Sequence, residues 1–153
     1  MAANSQGIAY SFKNEILQAI HNLGITVTRI STIADTLNAA LYAQNQSIGP
    51  STAAYTPVGE VTGTNYTAGG QVVTNANPPT TAGGTTAYWT PSASIQWTTV
   101  TLPVLFDTVL LYNVTQGNRA IGAFTFGAQT VTSGNFTLTM PANGPTTALV
   151  QLT

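Results

Sequence analysis

The chain has 153 residues, 43% of them hydrophobic and 5% charged, with a net charge of −1, one histidine and no cysteine. That length suits one domain with a core of its own, and the missing cysteines exclude disulfides, thiol nucleophiles, iron–sulfur clusters and Cys-bearing zinc sites. Lys and Arg together number 3, too few to neutralise a run of phosphates, so nucleic acid is not an expected partner.

Residues 1–10 read as a polar arm with no periodic pattern and no evident partner within the chain. "MAANSQGIAYSFKNE" lacks the basic start and apolar stretch of a signal peptide. No run in the sequence reaches the about 20 apolar residues that a membrane-spanning helix needs. "SFKNEILQAIHNLG", residues 11–24, predicts a helix: Phe12, Ile16, Leu17, Ile20 and Leu23 recur at three-to-four spacing on one face. Ser11 suits its start and Gly24 its end. His21 falls on the polar side. The apolar face must be buried on the same domain, on a sister copy or on another protein. Tyr10, Phe12, Ile16 and Ile20 are therefore candidate assembly contacts.

"ITVTRISTIADTLNAALYAQ" reads both ways. Ile25, Val27 and Arg29 alternate with Thr as in a strand, "IADTLNAALYAQ" is rich in helix formers, and "AALY" could be a buried strand. Short apolar runs cannot be assigned by period alone. From Ser47 onward the pattern is β, with runs of Val, Thr, Tyr, Trp and Phe separated by Gly, Pro, Asn and Ser. "QVVT" and "TAYWT" predict short strands, with "NANPPTTAGGT" a long loop between them; its prolines keep it out of a central ladder. "SIQWTTVTL" alternates at Ile95 and Trp97, then resumes out of phase at Val100 and Leu102, which predicts a bulge at Thr98–Thr99. "FDTVLLYNV" is apolar without a break from Val109 to Tyr112, as a central strand covered on both faces would be. "TQGN" predicts the turn to a hairpin partner, "RAIGAFTFG". "FTLTM" and "ALVQLT" supply two more strands. Short strands at roughly 8–12-residue spacing predict a sandwich or barrel. The expected fold is mainly β, a β-sandwich of jelly-roll or Ig-like kind with one N-terminal α-helix, in a single domain: arm 1–10, helix 11–24, sandwich from about 37 to 153.

Reactive chemistry is sparse. The carboxylates Glu15, Asp35, Glu60 and Asp107 are joined by no motif, and His21 is the sole imidazole. A catalytic triad needs a buried, oriented base, and a metal site needs several ligands. The glycine-containing stretches "GTNYTAGG" and "TAGGTTA" lack the lysine and following helix of a phosphate loop. No catalytic residue, metal site or cofactor is expected. Sequons at Asn45, Asn65, Asn113 and Asn135 arise readily in a chain so rich in Asn and Thr. A carbohydrate-binding β-sandwich is the alternative, with Trp89 in "AYWTP" as its sugar platform; the other reading of Trp89 is burial under the long loop. With 5% charge against the about 25% of an ordinary domain, the surface is Thr, Ser, Asn, Gln and Gly. Low charge favours association, so much of that surface is expected to be covered in an assembly.

Three stretches carry a resemblance: "SFKNEILQAIHNLG", "NAALYAQNQSIGPSTAAYTPVGEVTGTNYTAGG" and "FDTVLLYNVTQGNRAIGAFTFGAQTVTSGNFTLTMP". They resemble a widespread family of small tailed-bacteriophage virion proteins over most of residues 11–141. The pair "EVTGTNYTAGG" and "YNVTQGNRA" is its most specific part. In similar sequences the residues before "ALY" are often β-branched or aromatic, which favours a strand. Leu37, Asn38 and Ala39 depart from this toward helix, and a strand at Leu37–Ala43 is the expectation adopted. The resemblance implies a capsid decoration or cement role in the virion, assembled in the bacterial cytoplasm. The implied partners are the major capsid protein and further copies of the chain, with neither nucleic acid nor membrane involved. A place on the tail or a fibre is the neighbouring alternative. No catalytic residue carries over.

Overall fold

The computed structural model describes residues 3–9, 11–12, 16, 20–21, 23, 34–82 and 86–152. Every element named among them is a strand: β1 (Gly7–Ile8), β2 (Leu37–Ala43), β3 (Gln71–Val72), β4 (Thr80–Ala82), β5 (Thr86–Trp89), β6 (Ile95–Asn113), β7 (Arg119–Leu138) and β8 (Val150–Leu152). They form two antiparallel sheets, one ordered β1-β7-β6-β2-β3 and the other β4-β5-β8. The protein is thus mainly β. The helix expected over 11–24 falls mostly outside the described residues.

Of the ambiguous segment, Leu37–Ala43 is a strand, and residues 25–33 lie outside the described residues. β2 pairs with β6 from Leu37 opposite Asn113 to Ala43 opposite Phe106. Leu37, Ala39, Ala40, Leu41 and Tyr42 are all buried, so both faces of β2 are covered. Tertiary burial of this kind overrides the helix preference of Leu and Ala. The β2 backbone is also closely approached. Gly70, at φ 73°, lies so close over Ala39 that a Cβ on it would stand 1.8 Å from the Ala39 carbonyl oxygen. Only glycine permits that approach.

β6 and β7 make one long hairpin through the turn at 114–118. Each joins what the sequence suggests are two strands. The expected bulge is present: pairing shifts between Trp97 opposite Phe136 and Val100 opposite Gly134, with Thr99 at φ 52°. Further shifts occur between Val100 and Leu102, between Leu102 and Phe106 and between Phe106 and Thr108. These bulges absorb Pro103, Gly127 and Ser133 without ending the strands. "NANPPTTAGGT" is not wholly loop, since Thr80–Ala82 form β4 at the edge of the small sheet. β4 begins just after Pro78–Pro79, as expected where proline is tolerated only outside or at the margin of a ladder.

A single cluster of buried side chains joins the two sheets. It takes Trp89 and Val150 from the small sheet and Leu41, Trp97, Leu102, Phe106, Leu110 and Ile121 from the large one. Trp89 lies opposite Val150. Phe106, Phe126 and Phe136 pack edge-on or tilted with ring centroids 4.9–5.9 Å apart.

The segment before Tyr10 corrects the expectation of an arm with no partner within the chain. Asn4 Nδ2 donates to the Ala43 carbonyl and to Asp107 Oδ1, each at 2.9 Å. Its Oδ1 accepts from the N–H groups of Gln46 and Ile48 at 2.8 and 3.1 Å. Ser5 N–H donates to Ile48 O, β1 pairs with Gly122 and Ala123, and Ala9 is 1% exposed. No periodic pattern announces this, because one asparagine and a two-residue strand do the fixing.

Candidate functional site

The stretch 54–70 and the stretch 111–120, far apart in sequence, meet as one hydrogen-bonded block. Val61 N–H donates to Leu41 O, which docks the first stretch on β2. Tyr55 N–H donates to Asn118 O and Ala120 N–H to Ala53 O, which dock it on the hairpin turn. Glu60 is the hub. Its Oε1 accepts from Tyr66 Oη and Gly69 N–H, both at 2.8 Å, and its Oε2 from Tyr55 Oη at 2.7 Å. Tyr66 Oη in turn accepts from Leu41 N–H at 3.0 Å. Tyr112 Oη donates to Gly69 O at 2.7 Å, and Tyr42 Oη to Thr56 O at 2.6 Å. The rings of Tyr55 and Tyr112 stack at 4.9 Å.

Burial is the main cause that pushes the hydroxyl pKa values of Tyr42, Tyr55, Tyr66 and Tyr112 above the ordinary tyrosine value of 10.0, and the Glu60 charge adds to it. The phenols therefore stay neutral donors. Each has an acceptor, and the carboxylate has three donors, so the block is a saturated network that locks the fold.

Two further carboxylates are engaged in the same manner. Asn113 is fully buried; its Nδ2 donates to Asp35 Oδ2 at 2.7 Å and lies 3.0 Å from His21 Nδ1, while its Oδ1 accepts from Gln116 N–H. Gln116 Nε2 donates to Asp35 Oδ1. With the amide so fixed, His21 Nδ1 is the acceptor, which sets the proton on Nε2. The ring packs on Phe12 at 4.7 Å. Asp107 Oδ1 accepts from Asn4 and from Thr108 Oγ1. Among the described residues, no group of three or more His, Asp or Glu could hold a metal ion. The His21–Asn113–Asp35 node escapes sequence reading, because its members lie 78 and 92 residues apart in pairs and no spacing links them.

Of the candidate assembly contacts, Tyr10 lies outside the described residues. Phe12 is 0% exposed and belongs to this chain's own core cluster. Ile16 packs partly buried against that core, and Ile20 is half-buried. Trp89 is 1% exposed, and its indole N–H donates to Asn75 Oδ1 and Asn77 O, each at 3.1 Å. It therefore presents no face for a sugar to stack on. Its loop does lie over it, since Asn75 and Asn77 come from the proline-bearing segment. Beside the sheets, Phe124, Phe126, Leu138, Met140 and Leu149 border an apolar groove of about 210 Å³. Among the described residues, the exposed large apolar side chains are Val58, Val72, Val104, Leu105 and Val114. No protein-family model, no curated protein and no solved structure matches the chain.

Proposed function

We propose that the protein is a non-enzymatic structural component of a tailed-bacteriophage virion. In this reading it decorates the head in many copies, bound to the major capsid protein and to copies of itself, and its two sheets form a β-sandwich of jelly-roll or Ig-like kind. The observation that carries the reading is the block around Glu60. In the stretches that resemble the virion family, Glu60, Tyr66 and Gly69 of residues 60–70 bond to one another, and Tyr112 of residues 112–120 joins them through Gly69 O. Tyr55, Tyr66 and Gly69 together occupy both oxygens of the Glu60 carboxylate, which supports an architectural use of these residues. A uniform neutral surface supports the same reading, since 5% charge leaves little self-repulsion between neighbours. The burial of Trp89 weighs against the carbohydrate alternative.

The experiment is to add purified protein to undecorated heads and to image them by cryo-electron microscopy. Regularly repeated extra density that accommodates this fold is the expected result. Density confined to tail or fibre would move the protein there, and saturable turnover of any substrate would remove the structural reading.

A further inference from the structure

β7 ends at Leu138 and β8 begins at Val150, and the segment between them carries "PANGPTT", residues 141–147. Asn143 is the one asparagine of the chain that is followed by glycine. It is exposed, and its side chain makes no hydrogen bond among the described residues. The segment is held by its own backbone. Gly144 N–H donates to Ala142 O at 2.9 Å, and Gly144 O accepts from the N–H groups of Thr147 and Ala148 at 3.2 and 2.9 Å. Thr147 Oγ1 donates to the same Ala142 O at 2.8 Å. A Cβ on residue 144 would stand 2.9 Å from that hydroxyl oxygen, so glycine suits the position. With no side chain at 144, nothing on that residue shields its nitrogen.

The other described asparagines are placed differently. Asn4, Asn38, Asn65, Asn75, Asn113 and Asn135 have side chains held by hydrogen bonds. Asn77 precedes Pro78, whose nitrogen carries no proton. After Asn45, the N–H of Gln46 is held by Asn4 Oδ1 at 2.8 Å. After Asn118, Arg119 opens β7 and pairs with Asn113. Asn143 alone among them joins an unheld side-chain amide to a following residue with no side chain.

We infer that Asn143 is the site at which this chain deamidates, a spontaneous modification with water as its only co-reactant. The Gly144 nitrogen gives up its proton and adds to the side-chain carbonyl carbon of Asn143. The Cγ–Nδ2 bond breaks, ammonia leaves with that proton, and a cyclic imide remains. Water then opens the ring at either carbonyl. One product is aspartate. The other is isoaspartate, in which the main chain runs through the former side chain. No atom is oxidised or reduced. The Gly144 N–H must first leave Ala142 O. That contact closes a short turn at the surface, and local opening of such a segment costs little compared with unfolding. Each conversion adds one carboxylate and takes the net charge from −1 to −2, a large relative change for so neutral a chain. Isoaspartate also adds a methylene to the main chain next to Gly144, whose carbonyl holds the N–H of buried Ala148 just before β8. The reaction needs no partner and is independent of any virion role.

The test is to keep the purified, folded chain in mildly alkaline buffer at physiological temperature and to sample it over weeks. Peptide mass mapping locates each amide that has become acid, and enzymatic methylation of isoaspartyl groups identifies the rearranged product. Asn143 is expected to convert at least about tenfold faster than any other described asparagine, since those must first break the contacts that hold them. Both products are expected at that residue. Asn143→Gln, whose longer side chain would have to close a larger ring, is expected to abolish the fast phase and to leave the melting temperature unchanged. An Asn143 that stays an amide over that time overturns the inference. So does another described asparagine that converts as fast, or a fast phase that survives in Asn143→Gln.

Discussion

Replacing Trp89 and Trp97 by Phe, one at a time, separates packing from hydrogen bonding in this core. Both side chains are buried, at 1% and 0% exposure, and both substitutions remove the same atoms, so the cavity cost is common to the two. The indole N–H groups differ. That of Trp89 has two acceptors, Asn75 Oδ1 and Asn77 O. That of Trp97 is buried with no hydrogen-bond partner among the described residues. Trp89→Phe strands two half-buried acceptors and costs about 1–2 kcal/mol beyond the cavity. Trp97→Phe discards an unpaired buried donor and recovers about 1–3 kcal/mol against the same cavity. The variants should then differ by about 3 kcal/mol, with Trp89→Phe the less stable. At roughly 2–4 °C per kcal/mol for a chain of this size, the melting temperatures should lie roughly 6–12 °C apart. Circular dichroism melts and urea titrations measure this, and each variant keeps the other tryptophan as a fluorescent reporter of unfolding. Equal stabilities, or a more damaging Trp97→Phe, would refute the assignment of the hydrogen bonds.

Asn4→Ala should lower stability by about 2–3 kcal/mol, because it strands the N–H groups of Gln46 and Ile48 and frees Asp107; a melting temperature within a degree or two of wild type in differential scanning calorimetry would show the segment to be dispensable. A second outcome concerns alkali. Unfolded tyrosines lose their protons near 10.0, while Tyr42, Tyr55, Tyr66 and Tyr112 hold theirs to higher pH in the fold. The folded state therefore binds more protons above pH 10, and stability that is complete below that pH falls as pH rises. Each tyrosine so held contributes at most about 1.4 kcal/mol per pH unit, and solvent contact at Tyr66 and Tyr55 reduces it. Tyrosinate absorbance should rise together with loss of the far-ultraviolet signal in one cooperative step; absorbance that rises first, with the fold intact, would contradict the buried network.

The strands were legible where the chain carries its own signal. Val109–Tyr112 read as a central strand and lies between β2 and β7, and the phase slip at Thr98–Thr99 marked a real bulge. Leu37–Ala43 was legible only through resemblance, since its local preference runs to helix and its burial comes from residues about seventy positions away. The length of β7 was hidden by Gly127, Ser133 and Gly134, which read as turn residues but here sit in bulges and adjoining ladder. The Glu60 block was visible as a pair of motifs but not as a contact, because nothing in either motif names the other. The anchoring by Asn4 had no periodic trace at all, whereas the burial of Phe12 was one of the fates that the periodic apolar face left open.

The pairing of β1 and β2 bears on how the chain is made. Gly7 waits for Ala123, and Leu37 for Asn113. While the chain is synthesised, β1 has no ladder to join until β7 has emerged, and β2, which can meet the short β3 earlier, lacks its long ladder until β6 has emerged. At about 5–20 residues per second, the roughly seventy residues between Ala43 and Asn113 take several seconds to appear. Until then the β6-facing edge of the apolar Leu37–Ala43 stretch is open to chaperones, and to the same edge on neighbouring nascent chains. Distant pairings of this kind also slow folding. Yield in a cell should therefore depend on translation speed and chaperone supply more than the stability of the finished fold would suggest.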